Sequence, residues 1–140
     1  MSLSTADIKV GETRERVLVG DLKRTRIVQY AGASGDFNPL HTDERFAVEA
    51  AGYPGVFAHG MLTMGMTGRV LTEWVGPESL LRYGVRFRAQ VWPGDTLTAT
   101  AVVESIDDTD AGPVAHFTLR TVNQHGAEVV TGTATARLEP

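Results

Sequence analysis

From about residue 80 onward, apolar and polar side chains alternate. Tyr83, Val85, Phe87, Ala89 and Val91 interleave with Arg82, Arg86, Arg88 and Gln90, and Leu97, Ala99, Ala101 and Val103 resume the alternation after Pro93-Gly94-Asp95. A period of two puts one set of side chains on one face, so this half of the chain predicts strands with one side inward and a turn at 93–95. Asp107-Asp108-Thr109-Asp110-Ala111-Gly112 reads as a polar connection into another strand over about 114–122. His125-Gly126 then turns the chain toward a final strand over about 127–138.

Upstream, the period is helical. Residues 16–19 read as a brief strand and Gly20-Asp21 as a turn, with Asp21 capping a helix whose apolar stripe of Ile27, Val28 and Ala31 runs to about Ala33. A second short helix is predicted over 42–51, capped by Thr42, with Phe46, Ala47 and Ala50 on one side and Gly52 ending it. His59 to Val75 has the length and apolar content of a central helix. Its Met61, Leu62, Met64, Met66, Val70, Leu71 and Trp74 cover more than a narrow stripe, which predicts burial. Gly60, Gly65 and Gly68 weaken helix propensity, and close packing is the use expected of them.

The chain's 140 residues suit one domain spanning 1–140, large enough for a real core and small enough that a deep site needs a neighbour's surface. Thirteen Lys and Arg against 17 Asp and Glu give a net charge of −4, without the basic field that nucleic-acid binders use, so nucleic acid is not an expected partner. With no Cys there is no disulfide, thiolate nucleophile or cysteine-ligated metal. Charges at Asp7, Lys9, Glu12, Arg14, Glu15 and Arg16 interrupt any secretory apolar core, and no run approaches the ~18 apolar residues of a membrane span. A soluble, cytoplasmic protein with no membrane partner is the expectation.

One segment concentrates the chemistry. Ser34-Gly35-Asp36-Phe37-Asn38-Pro39-Leu40-His41 sets a carboxylate and an imidazole five positions apart. On a straight helix these would stand about 140° apart, from the ~3.6-residue turn. Pro39 lacks an N–H and pushes Asn38 toward extended geometry, while Gly35 permits angles that other residues avoid. A shaped loop linking two helices is therefore predicted, one that can bring the acid/base pair together. Taken singly, Asp36 reads as a turn cap and His41 as a structural histidine.

The stretch from Tyr30 to His41, followed by Ala47 and then Ala58-His59-Gly60-Met61-Leu62, resembles the signature of the MaoC-like hydratases, and the resemblance runs from about Ile8 to Leu138. That family includes the (R)-specific enoyl-CoA hydratases and related 3-hydroxyacyl-thioester dehydratases. The resemblance implies an α+β hot-dog fold, a curved antiparallel sheet wrapped around one long helix, which agrees with the predicted element order. It also implies a hydro-lyase of fatty acid metabolism that hydrates trans-2-enoyl thioesters to (R)-3-hydroxyacyl thioesters, or dehydrates them in reverse. No cofactor is implied, because coenzyme A or acyl carrier protein is the substrate's handle.

By that resemblance Asp36 accepts a proton from the attacking water, His41 holds the water and either relays or supplies the proton that reaches the α carbon, and the Gly60 N–H binds the thioester oxygen. The sequence does not distinguish which group makes each transfer. Asn38 either orients the water and dyad or forms an Asx turn before Pro39. Gly60 equally suits a tight loop-to-helix junction. His59 reads as an ordered histidine bonded to backbone, or as part of the site. Arg86 and Arg88 either meet phosphates of coenzyme A or acidic groups of a carrier protein, or form a solvated sheet face. Met61, with Met64 and Met66, either lines an acyl tunnel or packs in the core. There is no phosphate-cradling glycine fingerprint, no Gly-x-Ser-x-Gly elbow and no histidine pair at metal-ligand spacing, so metal-free chemistry is expected.

Thioester hydrolysis is the rival activity, since hot-dog folds also host it and an Asp can activate water toward a carbonyl. Membership of a heteromeric 3-hydroxyacyl-ACP dehydratase is another. Pairing with a related hot-dog chain, as a homodimer or a heterodimer, is expected in either case.

Overall fold

A computed structural model of the protein describes residues 3–140. Five strands, β1 (Thr13–Val19), β2 (Leu80–Phe87), β3 (Leu97–Thr109), β4 (Gly112–Val122) and β5 (Glu128–Arg137), form one antiparallel sheet in the order β1-β3-β4-β5-β2. Helix α1 (Arg24–Ser34) follows β1, and α2 (Gly60–Val75) lies against the sheet. This is the hot-dog architecture the sequence led us to expect.

The alternation explains the packing. Ala99, Ala101 and Val103 of β3, Phe117 and Leu119 of β4, and Ala134 and Ala136 of β5 are buried together with Leu62, Met66, Val70, Leu71 and Trp74 of α2. Burying each large side chain among these contributes roughly 1.5–3 kcal/mol, so the helix and the inner sheet face hold each other. Trp74 meets Phe117 edge-on, with centroids 5.4 Å apart. A fully buried polar crossing, Thr67 Oγ1 to Thr121 Oγ1 at 2.6 Å, is satisfied within itself. Small residues let the elements approach: a Cβ on Gly68 would lie 3.2 Å from the Tyr83 ring.

Several boundaries differ from the sequence expectation. β1 begins at Thr13, earlier than 16. Asp21 does not cap α1: it takes φ +54° in the turn before Leu22, and Lys23 stands at the cap position with its ammonium paired to Asp21 and no side-chain bond to the helix end. The segment expected as helix 42–51 is a 3-10 turn at Pro39–His41 and then a short helix that widens to a π turn over Phe46–Ala50. Its cap is Asp43 rather than Thr42, because Asp43 Oδ1 accepts the Phe46 N–H. Only Ala47 of its expected apolar side is buried.

The strand expected to reach Val91 stops at Phe87. Beyond it the Arg88 and Ala89 N–H groups both donate to the Val129 carbonyl, the chain leaves the ladder, and Val91 is buried in a connector whose carbonyl accepts the Ala58 N–H. The acidic stretch 107–112 is not a loop. β3 and β4 continue in register to Thr109 opposite Gly112, leaving Asp110-Ala111 as a two-residue turn. Exposed polar residues are compatible with a hairpin whose faces both meet water, and Gly112 supplies the positive φ of +109°.

Candidate active site

Between α1 and α2 the chain folds back on itself and gathers three ionisable side chains. α1 ends at Gly35, whose left-handed φ of +75° redirects the chain, and its N–H closes the helix on the Ala31 carbonyl. Asp36 follows at once. Its N–H donates to Ser34 Oγ, and its own Oδ1 accepts the Asn38 N–H at 3.2 Å. Asn38 Oδ1 in turn accepts the Leu40 N–H, capping the 3-10 turn that presents His41. Successive side-chain-to-backbone bonds thus shape the loop, as its Asp, Asn and Pro content predicts.

The loop brings Asp36 and His41 together. A carboxylate oxygen of Asp36 and ring nitrogens of His41 and His59 all lie within 4.8 Å of one another. His41 is buried with Nδ1 at 2.6 Å from the Phe57 carbonyl, and His59 is buried with Nε2 at 3.0 Å from the Asp36 carbonyl. The two imidazoles stack, centroids 3.8 Å apart and planes 25° apart. Parallel rings run their in-plane lone pairs side by side instead of converging them, and each ring already has one nitrogen on a carbonyl. The arrangement suits the handling of protons better than the tetrahedral grip of an ion.

A second anchor fixes the back of the loop. Glu44 pairs with Arg24 of α1, and the Arg24 guanidinium holds the Glu44 carboxyl below the usual carboxylate range. The same carboxylate packs against Gly55, where a Cβ would stand 2.7 Å from Glu44 Oε1. Aromatic contacts continue this support, with Phe57 edge-on to both His41 and Trp92.

Next to the dyad opens a cavity of about 280 Å³, lined by Phe57, Gly60, Thr63, Phe87, Arg88 and Val129 among others. Gly60 is the first residue of α2, so its N–H has no partner within the helix and stands at the positive end of the helix dipole. A Cβ there would come within 3.0 Å of the Phe87 ring, which explains glycine at this point.

Asp36 and His41 gather on His59, directly before Gly60 at the start of α2, and Asn38 is hydrogen-bonded to Asp36 in the same loop. Of the four expected catalytic residues, Gly60 lines the cavity and Asp36, Asn38 and His41 do not. Arg88 also lines the cavity, while its Nε donates to Thr131 Oγ1. Arg86 does not: it lies with Arg82 and Thr133 in a groove on the sheet, outside the cavity lining. Met61 projects outward, 56% exposed, and is not part of the lining; Met66 is core and Met64 is half-buried. Asn38 realises the Asx turn with its oxygen, leaving its NH₂ for other partners. Sequence reasoning did not find Phe57, whose carbonyl orients His41. Backbone acceptors carry no sequence signal.

Comparison with known proteins bears on the same residues. Residues 5–124 match the MaoC like domain. The chain belongs to the MaoC-like family. It is 32% identical over 114 residues to the (R)-specific enoyl-CoA hydratase of Aeromonas caviae, covering 80% of this chain and 83% of that protein. The solved (R)-hydratase from A. caviae involved in PHA biosynthesis superposes with a TM-score of 0.80 at 29% identity, covering 94% of this chain and 98% of that one. The ChsH1-ChsH2 complex from Mycobacterium tuberculosis gives a TM-score of 0.78 at 26% identity, with 94% and 98% covered. Other curated relatives are much longer. The chain spans 23% of the 3-hydroxyacyl-thioester dehydratase Y of M. tuberculosis, to which it is 41% identical over 68 residues, or 46% of its own length. Among the described residues no helix is long and apolar enough to cross a membrane.

Proposed function

We propose that this MaoC-like chain is a hydro-lyase that adds water to trans-2-enoyl thioesters to give (R)-3-hydroxyacyl thioesters, and removes it in reverse. The observation that carries the reading is the convergence of Asp36, His41 and the Gly60 N–H at one end of α2, beside a cavity lined largely by apolar groups. Conjugate hydration needs a base for water, a proton for the α carbon and a donor for the enolate oxygen, and these three groups supply them. Relatives named as (R)-specific enoyl-CoA hydratases support the same substrate class.

In the forward direction the water oxygen bonds to the β carbon while Asp36 takes one of its protons. The β-carbon π electrons move toward the thioester, whose oxygen accepts the Gly60 N–H. His41 Nε2 takes the water's proton from Asp36 and delivers it to the α carbon, which returns both groups to their starting state, so one H and one OH are added overall. No metal or redox cofactor enters this scheme. Coenzyme A or acyl carrier protein is the handle, and Arg88 at the cavity wall is the charged residue placed to meet it.

The same reading includes a partner. Asp36 and Phe37 are exposed in the isolated chain, with Phe37 at 68%, and β2 is an open edge strand on which Leu81 and Phe87 are about half exposed. A second hot-dog chain, identical or related, would cover these surfaces and exclude bulk water from the dyad. Each chain contributes one MaoC-like hot-dog domain to the pair. Incubation with crotonyl-CoA tests the reaction: loss of enoyl absorbance without free thiol supports hydration, whereas release of free coenzyme A identifies a thioester hydrolase.

A further inference from the structure

Between the dyad and α2 sits a buried imidazole to which the chemistry above gives no role. His59 is 1% exposed and occupies the cap position of α2, yet its side chain makes no bond to the helix end. Its Nε2 bonds to the Asp36 carbonyl instead, which requires the hydrogen to be on Nε2 because a carbonyl only accepts. One face of the ring stacks on His41, and Tyr30 meets it edge-on with centroids 4.8 Å apart. Its backbone carbonyl accepts the Leu62 and Thr63 N–H groups of the first turn of α2. A single residue therefore touches the backbone of the carboxylate, the ring of the histidine and the helix turn that presents the Gly60 amide.

Packing alone does not account for a histidine here. Nδ1 is buried without a hydrogen-bond partner, a cost that Leu or Phe in the same space would not carry. What only a donor at this reach provides is the bond to the Asp36 carbonyl. The far end of the loop is tied to the segment before α2 at Phe57, through His41 Nδ1 and the Leu40 carbonyl, whereas at Asp36 itself the bonds to Ser34 and Asn38 are short-range and shape the turn without locating it against α2.

We propose that His59 is a positioning residue for hydration. It sets the spacing between the Asp36–His41 pair, where water is activated, and the Gly60 amide, where the enolate charge collects. The inference rests on the reading of those three residues as the hydration machinery. Acid/base groups work only within hydrogen-bond reach of the reacting atoms, so loss of this link reduces turnover more than substrate binding.

The test compares His59→Gln, His59→Asn and His59→Leu in the full chain, with kcat and KM on crotonyl-CoA and the unfolding temperature of each. The Gln amide nitrogen reaches about as far as Nε2 and can donate to the Asp36 carbonyl; the Asn amide stops short. The expectation is a Gln variant within about threefold of the parent kcat, and Asn and Leu variants reduced about 10²-fold with KM little changed, the scale of a 1 Å misplacement. If the Leu variant does not fold, the Gln and Asn pair decides. A Gln variant no better than Asn, a folded Leu variant with parental kcat, or a loss confined to KM overturns the proposal. Parental turnover in Asp36→Asn would instead refute the underlying dyad, since that substitution leaves the His59 link intact.

Discussion

Nδ1 of His41 lies 2.6 Å from the carbonyl oxygen of Phe57, so the hydrogen on that ring nitrogen is fixed and Nε2 is left as the nitrogen available for chemistry. This orients the histidine before any substrate arrives. Its effect depends on Asp36 being within reach, which the turn at Gly35 and the Asx turn at Asn38 provide.

Replacing either member of the pair should therefore leave the fold and remove the reaction. Asp36→Asn and His41→Ala are expected to lower hydration by roughly 10²–10⁴-fold, the contribution of a positioned acid/base group. Steady-state assay of the purified variants checks this, with circular dichroism confirming that they remain folded.

Gly60→Ala keeps the N–H but inserts a methyl within 3.0 Å of the Phe87 ring. The backbone angles there are open to alanine, so the strain falls on the contact between the ring and the helix end. A kcat loss of up to about 10²-fold is expected from the displaced amide, with a smaller change in stability. Pre-steady-state measurement of enoyl consumption would register it.

Tyr83 supplies a pH signature of the core. Its hydroxyl donates to the Met64 carbonyl of α2, and burial pushes its phenol up to about 12 from an ordinary value of 10.0. Between those two values the unfolded chain has lost the proton that the folded chain retains, so stability falls as pH rises through this window and is fully present below it. Urea unfolding at pH 9 and pH 11.5 should show a drop in the parent that is smaller in Tyr83→Phe.

Pairing through β2 is the fourth expectation. Sedimentation at assay concentration should show a dimer, either of this chain alone or with a co-expressed hot-dog partner. Leu81→Glu, on the open edge and outside the proposed machinery, should shift it toward monomer and lower activity with it. An active monomer would exclude pairing as a requirement.

Much of this architecture was legible in the order of the residues. Two-residue alternation located the strands, because a sheet with one buried face requires it, and the apolar breadth of α2 announced its burial. The Asp36-to-His41 loop was readable because Gly, Asn and Pro act locally. What escaped depended on distant partners. Val91 looked like the end of a strand, yet its apolar side chain is buried in a connector pinned to Ala58. The acidic stretch at 107–112 looked like a loop because polarity is the same signal for a loop and for a hairpin exposed on both faces. Asp43 took the cap role expected of Thr42, a shift of one residue that propensity cannot resolve. His59 was readable as an ordered histidine bonded to backbone, and it is one, but the acceptor lies 23 residues away at Asp36, which only the folded chain reveals.

The stereochemistry of the addition tests the central claim most directly. If Asp36 and His41 act on one water on one side of the substrate, hydrogen and hydroxyl reach the same face of the double bond. Hydration of crotonyl-CoA in heavy water, with both new stereocentres resolved, is predicted to give the (R)-3-hydroxy product with deuterium and hydroxyl added syn. An (S)-3-hydroxy product, or anti placement of the two, would contradict the proposed site even if hydration were fast.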